Sequence, residues 1–204
     1  MVKRKSQKKV KKRGFLYGNF SQGIKYIQES KNFVYYALGI FFAFALIGYF
    51  FPAPPALSEK IFQFVEELFK QTEGMSWSQL TSFIFFNNLQ SSFFGLFLGI
   101  FFGLFSITAL IANGYLVGFV SSVVSEKESI LSLWRLLPHG IFEIPAILIS
   151  AGLGIKLGTF IFQKNKKETL KELVLKSLKT FFFVIVPLLI VAALIESSLI
   201  YFSR

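Results

Sequence analysis

The chain has no cysteine, which excludes disulfides, thiolate metal sites and thiol catalysis, and leaves the redox compartment unmarked. It has one histidine, His139, too few for the paired ligands of an HExxH zinc helix. No Walker phosphate loop occurs, and no serine stands in a nucleophile-elbow sequence. Neither an enzyme activity nor a metal or other cofactor is therefore expected. Acidic residues are scarce too, 11 against 22 basic ones, for a net charge of +11.

Apolar residues are what the chain has in excess. They make up 53% of the sequence, with 28 phenylalanines in 204 residues, more than a soluble domain of this size can bury. Several apolar runs reach about twenty residues, the length that crosses a bilayer as a helix. The predicted class is an all-α polytopic membrane helix bundle, with about five transmembrane helices plus amphipathic surface helices.

The charge is concentrated. Eight basic residues lie in Lys3-Arg4-Lys5, Lys8-Lys9 and Lys11-Lys12-Arg13. Ahead of a membrane span, such a run reads as cytoplasmic retention and attraction to anionic lipid headgroups rather than nucleic-acid binding. Phe15, Leu16, Phe20, Ile24 and Ile27 then recur at helical spacing, predicting a short interfacial helix. Residues 1–31 are thus read as a basic cytoplasmic tail with a surface helix, and 32–204 as the transmembrane domain.

Spans are predicted at about 33–51, 81–103, 106–124, 139–162 and 181–202. The first stops at Pro52-Ala53-Pro54-Pro55 and is read as a retained anchor. Between Ser58 and Glu73, Ile61, Phe62, Val65, Leu68 and Phe69 share one helical face, with Glu59, Glu66, Glu67 and Glu73 elsewhere. This predicts an acidic amphipathic helix on the outer surface, followed by Trp77 as an interfacial anchor. The apolar stretch Thr81–Val124 fits either one very long helix or two crossings. Two crossings, turning near Gly103–Ser106, return Lys164-Asn165-Lys166-Lys167 to the cytoplasm and satisfy the positive-inside rule. Thr169-Leu170-Lys171-Glu172 has capping-box spacing and predicts a helix start, and Pro187 predicts a kink in the last span.

Gly95, Gly99 and Gly103 lie four apart, as do Gly114 and Gly118, and Gly154 and Gly158. In lipid, small residues at this spacing let helix backbones approach closely. The alternative is that Asn113-Gly114 marks an unwound point lining a substrate site.

Polar residues inside spans are the candidate site. Asn87, Asn88, Asn113, His139, Glu143 and Glu196 come from four predicted spans, and most fall in one membrane half. An ionisable group at that depth costs about 2.5–3.5 kcal/mol on insertion scales, so Glu143 needs a partner or a use. His139 and Glu143, at i and i+4, share a helix face. A hydrogen-bonded knot fixing helix register, a proton-linked transport site and a metal site all remain open, the last on thin ligand count.

The string Pro138-His139-Gly140-Ile141-Phe142-Glu143-Ile144-Pro145-Ala146, with Asn87-Asn88, Gly99, Gly103, Asn113-Gly114, Gly118 and Gly152 to Gly158, resembles the stage II sporulation protein M family. The resemblance implies a multi-pass cytoplasmic-membrane protein without established catalytic activity. The family's namesake is a membrane scaffold that holds septal peptidoglycan hydrolases during engulfment, and relatives occur in bacteria and archaea that never form spores. A non-enzymatic scaffold or membrane-complex subunit with its N-terminus in the cytoplasm is expected, docking partner proteins on its lysine-rich elements or outer amphipathic helix. The alternative is a permease-like subunit moving a solute or protons through a polar cavity around Glu143.

Overall fold

The structure, a computed structural model, describes residues 2–51, 53–127 and 137–202, with side chains described for 14–51, 53–127 and 140–202. Every regular element among them is helical: α1 (Val2–Glu29), α2 (Lys31–Phe50), α3 (Pro55–Thr72), α4 (Trp77–Phe97), α5 (Leu104–Lys127), α6 (Leu137–Gly158), α7 (Lys166–Thr180) and α8 (Val186–Phe202). Five helical stretches among the described residues are long and apolar enough to cross a membrane: Lys31–Phe50, Trp77–Ile100, Leu104–Lys127, Gly140–Phe162 and Lys166–Phe202. The membrane-bundle class read from the sequence is therefore the observed one.

Local chemistry sets the helix ends. Ser76 and Gln79 form a capping box, each side chain meeting the other's backbone N–H, so α4 starts at Trp77, ahead of the Thr81 expected. Its far end tightens into a 3₁₀ turn at Leu98–Ile100 and reverses through Phe102 (φ 60°) and Gly103 (φ 73°). Thr81–Val124 thus falls on two helices joined by a turn, which comes a little earlier than Gly103–Ser106. Gly103 lies in the turn rather than on a span face, because the reversal needs a left-handed residue there. The helix expected from Thr169 starts instead at Lys166 after Asn165, with no side-chain cap. The interfacial helix is not short: α1 continues through the lysine-rich segment, where lysine is a good helix former.

The last span is loosened where proline demands it. Pro187 cannot donate to Phe183, one turn back, and a π turn at Phe181–Ile185 absorbs the missing bond. α7, this turn and α8 form one helical stretch of 37 residues.

α6 is the centre of the bundle, packed against α2, α4, α5 and α8. Its Ala146 and Leu153 join Leu96, Phe181, Ile185 and Leu189 on one side. Leu148 and Ala151 join Ala37, Phe41 and Leu110 on the other. Glycine permits both approaches. A Cβ on Gly99 would strike the Gly154 backbone, and one on Gly158 would strike the backbone of the α4–α5 turn. Between α2 and α5, Cβ atoms on Gly114 and Gly118 would overlap the carbonyls of Phe41 and Ala45, and one on Gly48 the carbonyl of Tyr115. At Gly95 an added Cβ meets no described atom within 4 Å. Its contribution is a carbonyl that accepts a 2.6 Å hydrogen bond from Ser106 of α5.

Gly118→Leu should destabilise the detergent-solubilised protein by about 3 kcal/mol or more, read as a lowered thermal midpoint. Gly39→Ala, where no described atom lies within 4 Å of the added Cβ, should stay within about 1 kcal/mol of the parent. Equal midpoints for the two variants would mean that α2 and α5 do not meet at Gly118.

Candidate functional site

The polar side chains of the spans divide into a buried band and a groove. Glu143 is buried on α6, on the stripe it shares with Ala146, Ser150, Leu153 and Leu157, all buried as well. Asn88 and Ser92 are buried on α4, on the stripe that carries Ile84 and Leu96. The hydroxyls of Ser92 and Ser150 have no hydrogen-bond partner among the described residues. The two stripes face each other: Leu96 of α4 and Leu153 of α6 belong to one core cluster.

The glycine contacts fix the register. Gly99 meets Gly154, and the Gly103 turn meets Gly158 four residues on, so α4 and α6 run parallel. Asn88 and Glu143 each precede the Gly99–Gly154 crossing by three helical turns, which puts them at one depth. Two helices thus carry a buried amide and a buried carboxyl at one level.

Asn87 and Glu196 lie outside this band. They share a groove of ≈ 260 Å³ between α4 and α8, roofed by Val65, Leu68, Phe69 and Thr72 of α3. Asn87 is exposed and Glu196 half-buried. Beside the groove, α4 and α8 are tied by Thr81 and Ser197, whose hydroxyls are 2.7 Å apart, and by Trp77, which donates to Ser198 at 3.1 Å. Trp77 was expected as an interfacial anchor; the structure also makes it a link between two spans.

Asn113 has a different use. Its amide donates to the carbonyl of Ala109 at 2.8 Å within α5, which runs unbroken from Leu104 to Lys127. The unwound point considered at Asn113-Gly114 is therefore absent from α5, since Gly114 is needed for contact with Phe41 and the helix stays intact to make it. His139 lies in the first turn of α6, and its side chain is outside the described residues. Pro145 sits inside α6, two residues after Glu143.

Sequence reading passed over Gly48, Ser106 and Lys156. Gly48 has no partner glycine four residues away, and Ser106 gives no signal before α4 and α5 are paired. Lys156, a cation inside a predicted span, was legible as an anomaly by the logic applied to Glu143.

A central helix packed on four neighbours, glycine-mediated crossings and an internal polar band define a polytopic α-helical membrane protein. The family profile described as "Stage II sporulation protein M" matches residues 37–199, and the chain belongs to that family. It is similar to two proteins of Methanocaldococcus jannaschii, both described as uncharacterized. One is 37% identical over 115 residues, covering 54% of this chain and 65% of the relative. The other is 33% identical over 105 residues, covering 48% and 47%. The chain thus spans roughly half to two thirds of the length of these relatives. No solved structure matches it.

The absence of native cysteine makes the register directly testable. A short thiol crosslinker should join Asn88→Cys to Glu143→Cys in membranes, as it should the control pair Thr81→Cys and Ser197→Cys. A reactive control with no Asn88–Glu143 product would place these residues at different depths.

Proposed function

We propose that this protein is a non-enzymatic scaffold, or subunit of a complex, in the cytoplasmic membrane. The observation that carries this reading is α3. None of its described residues is buried, and it leaves Phe62, Phe64 and Phe69 exposed beside a face bearing Glu59, Glu66 and Glu67. A helix that contributes so little to the core offers its surface to the membrane interface and to a partner. Glu66 and Lys70 pair at 2.7 Å on its exposed side, which lowers the carboxyl pKa through the lysine's hydrogen bond and charge.

On this reading the N-terminus lies in the cytoplasm. The basic run of α1 and the lysines between the fourth and fifth spans then lie on one side, as the positive-inside rule requires, and packing of α1 against α7 supports that. Deleting Met1–Arg13 or Ser58–Glu73 should lower recovery of partner proteins after crosslinking in native membranes. Full recovery with both deletions would remove these docking surfaces. A reporter fused after Arg204 should read outside.

The groove shared by Asn87 and Glu196 favours a second reading, a permease-like subunit. On that reading, Glu196→Gln, in the groove, should abolish solute or proton flux in proteoliposomes while the protein stays folded. On the scaffold reading, Glu143→Gln mainly lowers yield and thermal stability. Unchanged flux in Glu196→Gln would eliminate the permease.

A further inference from the structure

At the opposite end of α6 from Glu143, two ammonium groups approach one tyrosine ring and two more line the groove beside it. Lys156 lies near the end of the fourth span, and its amine sits 4.3 Å from the centre of the Tyr26 ring. Lys176 of α7 approaches the same ring at 5.8 Å. Lys25, Lys176 and Lys179 line a groove of ≈ 430 Å³ between α1 and α7, together with Gln22, Tyr26, Glu29 and Leu175. Ammonium ions gather on an aromatic face because its quadrupole attracts them.

The charges in this groove are only partly neutralised. Lys176 pairs with Glu172 at 2.7 Å, and Lys25 reaches Glu29 at 4.0 Å. Lys156 and Lys179 form no ion pair among the described residues. Each donates to a neutral oxygen, Lys156 to Ser30 at 2.8 Å and Lys179 to Gln22 at 2.7 Å. An ammonium has three donors, so each keeps two for another acceptor. Of the three lysines lining the groove, Lys179 lacks a carboxylate partner among the described residues, and Lys156 adds a second such charge against the Tyr26 ring. Burial pushes the Tyr26 hydroxyl above the usual phenol pKa, an effect that Glu172 and Glu29 reinforce and Ser177 opposes. The hydroxyl is buried beside Ser177, so it is the Tyr26 ring that faces the lysines.

The position of the groove indicates the source of the anion. α1 exposes Phe15, Leu16, Tyr17 and Phe20, and the groove wall exposes Leu175. Phe15 packs edge-on against Phe183 at the start of the last span. Such apolar exposure beside ammonium groups marks the boundary between headgroups and acyl chains. We propose that Lys156 and Lys179, with Lys25 and Lys176 beside them around the Tyr26 ring, bind the headgroup phosphate of an anionic phospholipid in the leaflet where α1 and α7 lie. Ser30 holds Lys156 in place: it is fully buried, donates to the Tyr26 carbonyl at 2.6 Å and accepts from the amine. This site is independent of the scaffold reading, and it is distinct from diffuse attraction of the lysine-rich start of the chain.

Native mass spectrometry of the full chain in detergent can test it with phosphatidylglycerol and phosphatidylcholine of matched acyl chains. The parent protein should retain phosphatidylglycerol preferentially. Lys156→Gln with Lys179→Gln should cut retention more than tenfold, at about fivefold per lysine. Lys164→Gln with Lys167→Gln, on exposed lysines outside the groove, should change it less than twofold. Should the groove double variant not fold, Lys179→Gln alone carries the test and should still lose about fivefold. Equal losses in the groove and control variants would overturn the site. Thermal unfolding with added inorganic phosphate separates the two phosphate sources. If free phosphate stabilises the parent as much as phosphatidylglycerol does, and the groove variant not at all, the lipid assignment is overturned.

Discussion

The fold depends on backbone meeting backbone. Lipid tails are as apolar as leucine, so burying leucine between helices gives little drive, and contact must come from close van der Waals fit. Gly99, Gly154 and Gly158 provide that fit between α4 and α6, and Gly48, Gly114 and Gly118 between α2 and α5. Gly152 extends the scheme by bringing α6 against the Phe33 and Val34 backbone of α2. α6 is common to most of these contacts, so its small residues hold the bundle together and its polar ones are carried at fixed heights.

Two charged residues stand near opposite ends of that helix. Glu143 is buried at the level of Asn88, whereas Lys156 leaves the core between α1 and α7 and places its amine over Tyr26. The carboxyl is enclosed by packing, and the amine leaves the core on a flexible stem to lie part-buried against Ser30 and Tyr26. This is the expected division between a short acidic side chain and a long basic one in a membrane span.

Much of the fold was legible because lipid imposes length. Runs of about twenty apolar residues can do little else than cross as helices, and lysine placement separated one crossing from two at Thr81–Val124. Helix ends were harder to read. The capping box at Ser76–Gln79 is real, while the equally suggestive Thr169–Glu172 lies inside a helix that had already begun at Lys166. Of the candidate site, the burial of Asn88 and Glu143 follows from the cost of leaving them in hydrocarbon. That Asn87 and Glu196 line one groove depends on how α3 folds back, and no local signal encodes that. Gly48 was invisible for the same reason, since its partner is a carbonyl on another helix.

The wide turn before Pro187 makes chain length in the last span a conserved quantity of the geometry. Gly23 rests on Thr180 and Val184 at one side of that turn, while Leu189 and Ala193 are buried beyond it. Removing a single residue there would twist everything downstream by about 100°, turning the buried stripe of α8 toward the acyl chains. A substitution in this stretch acts where it is made, whereas an insertion or deletion turns the whole of α8.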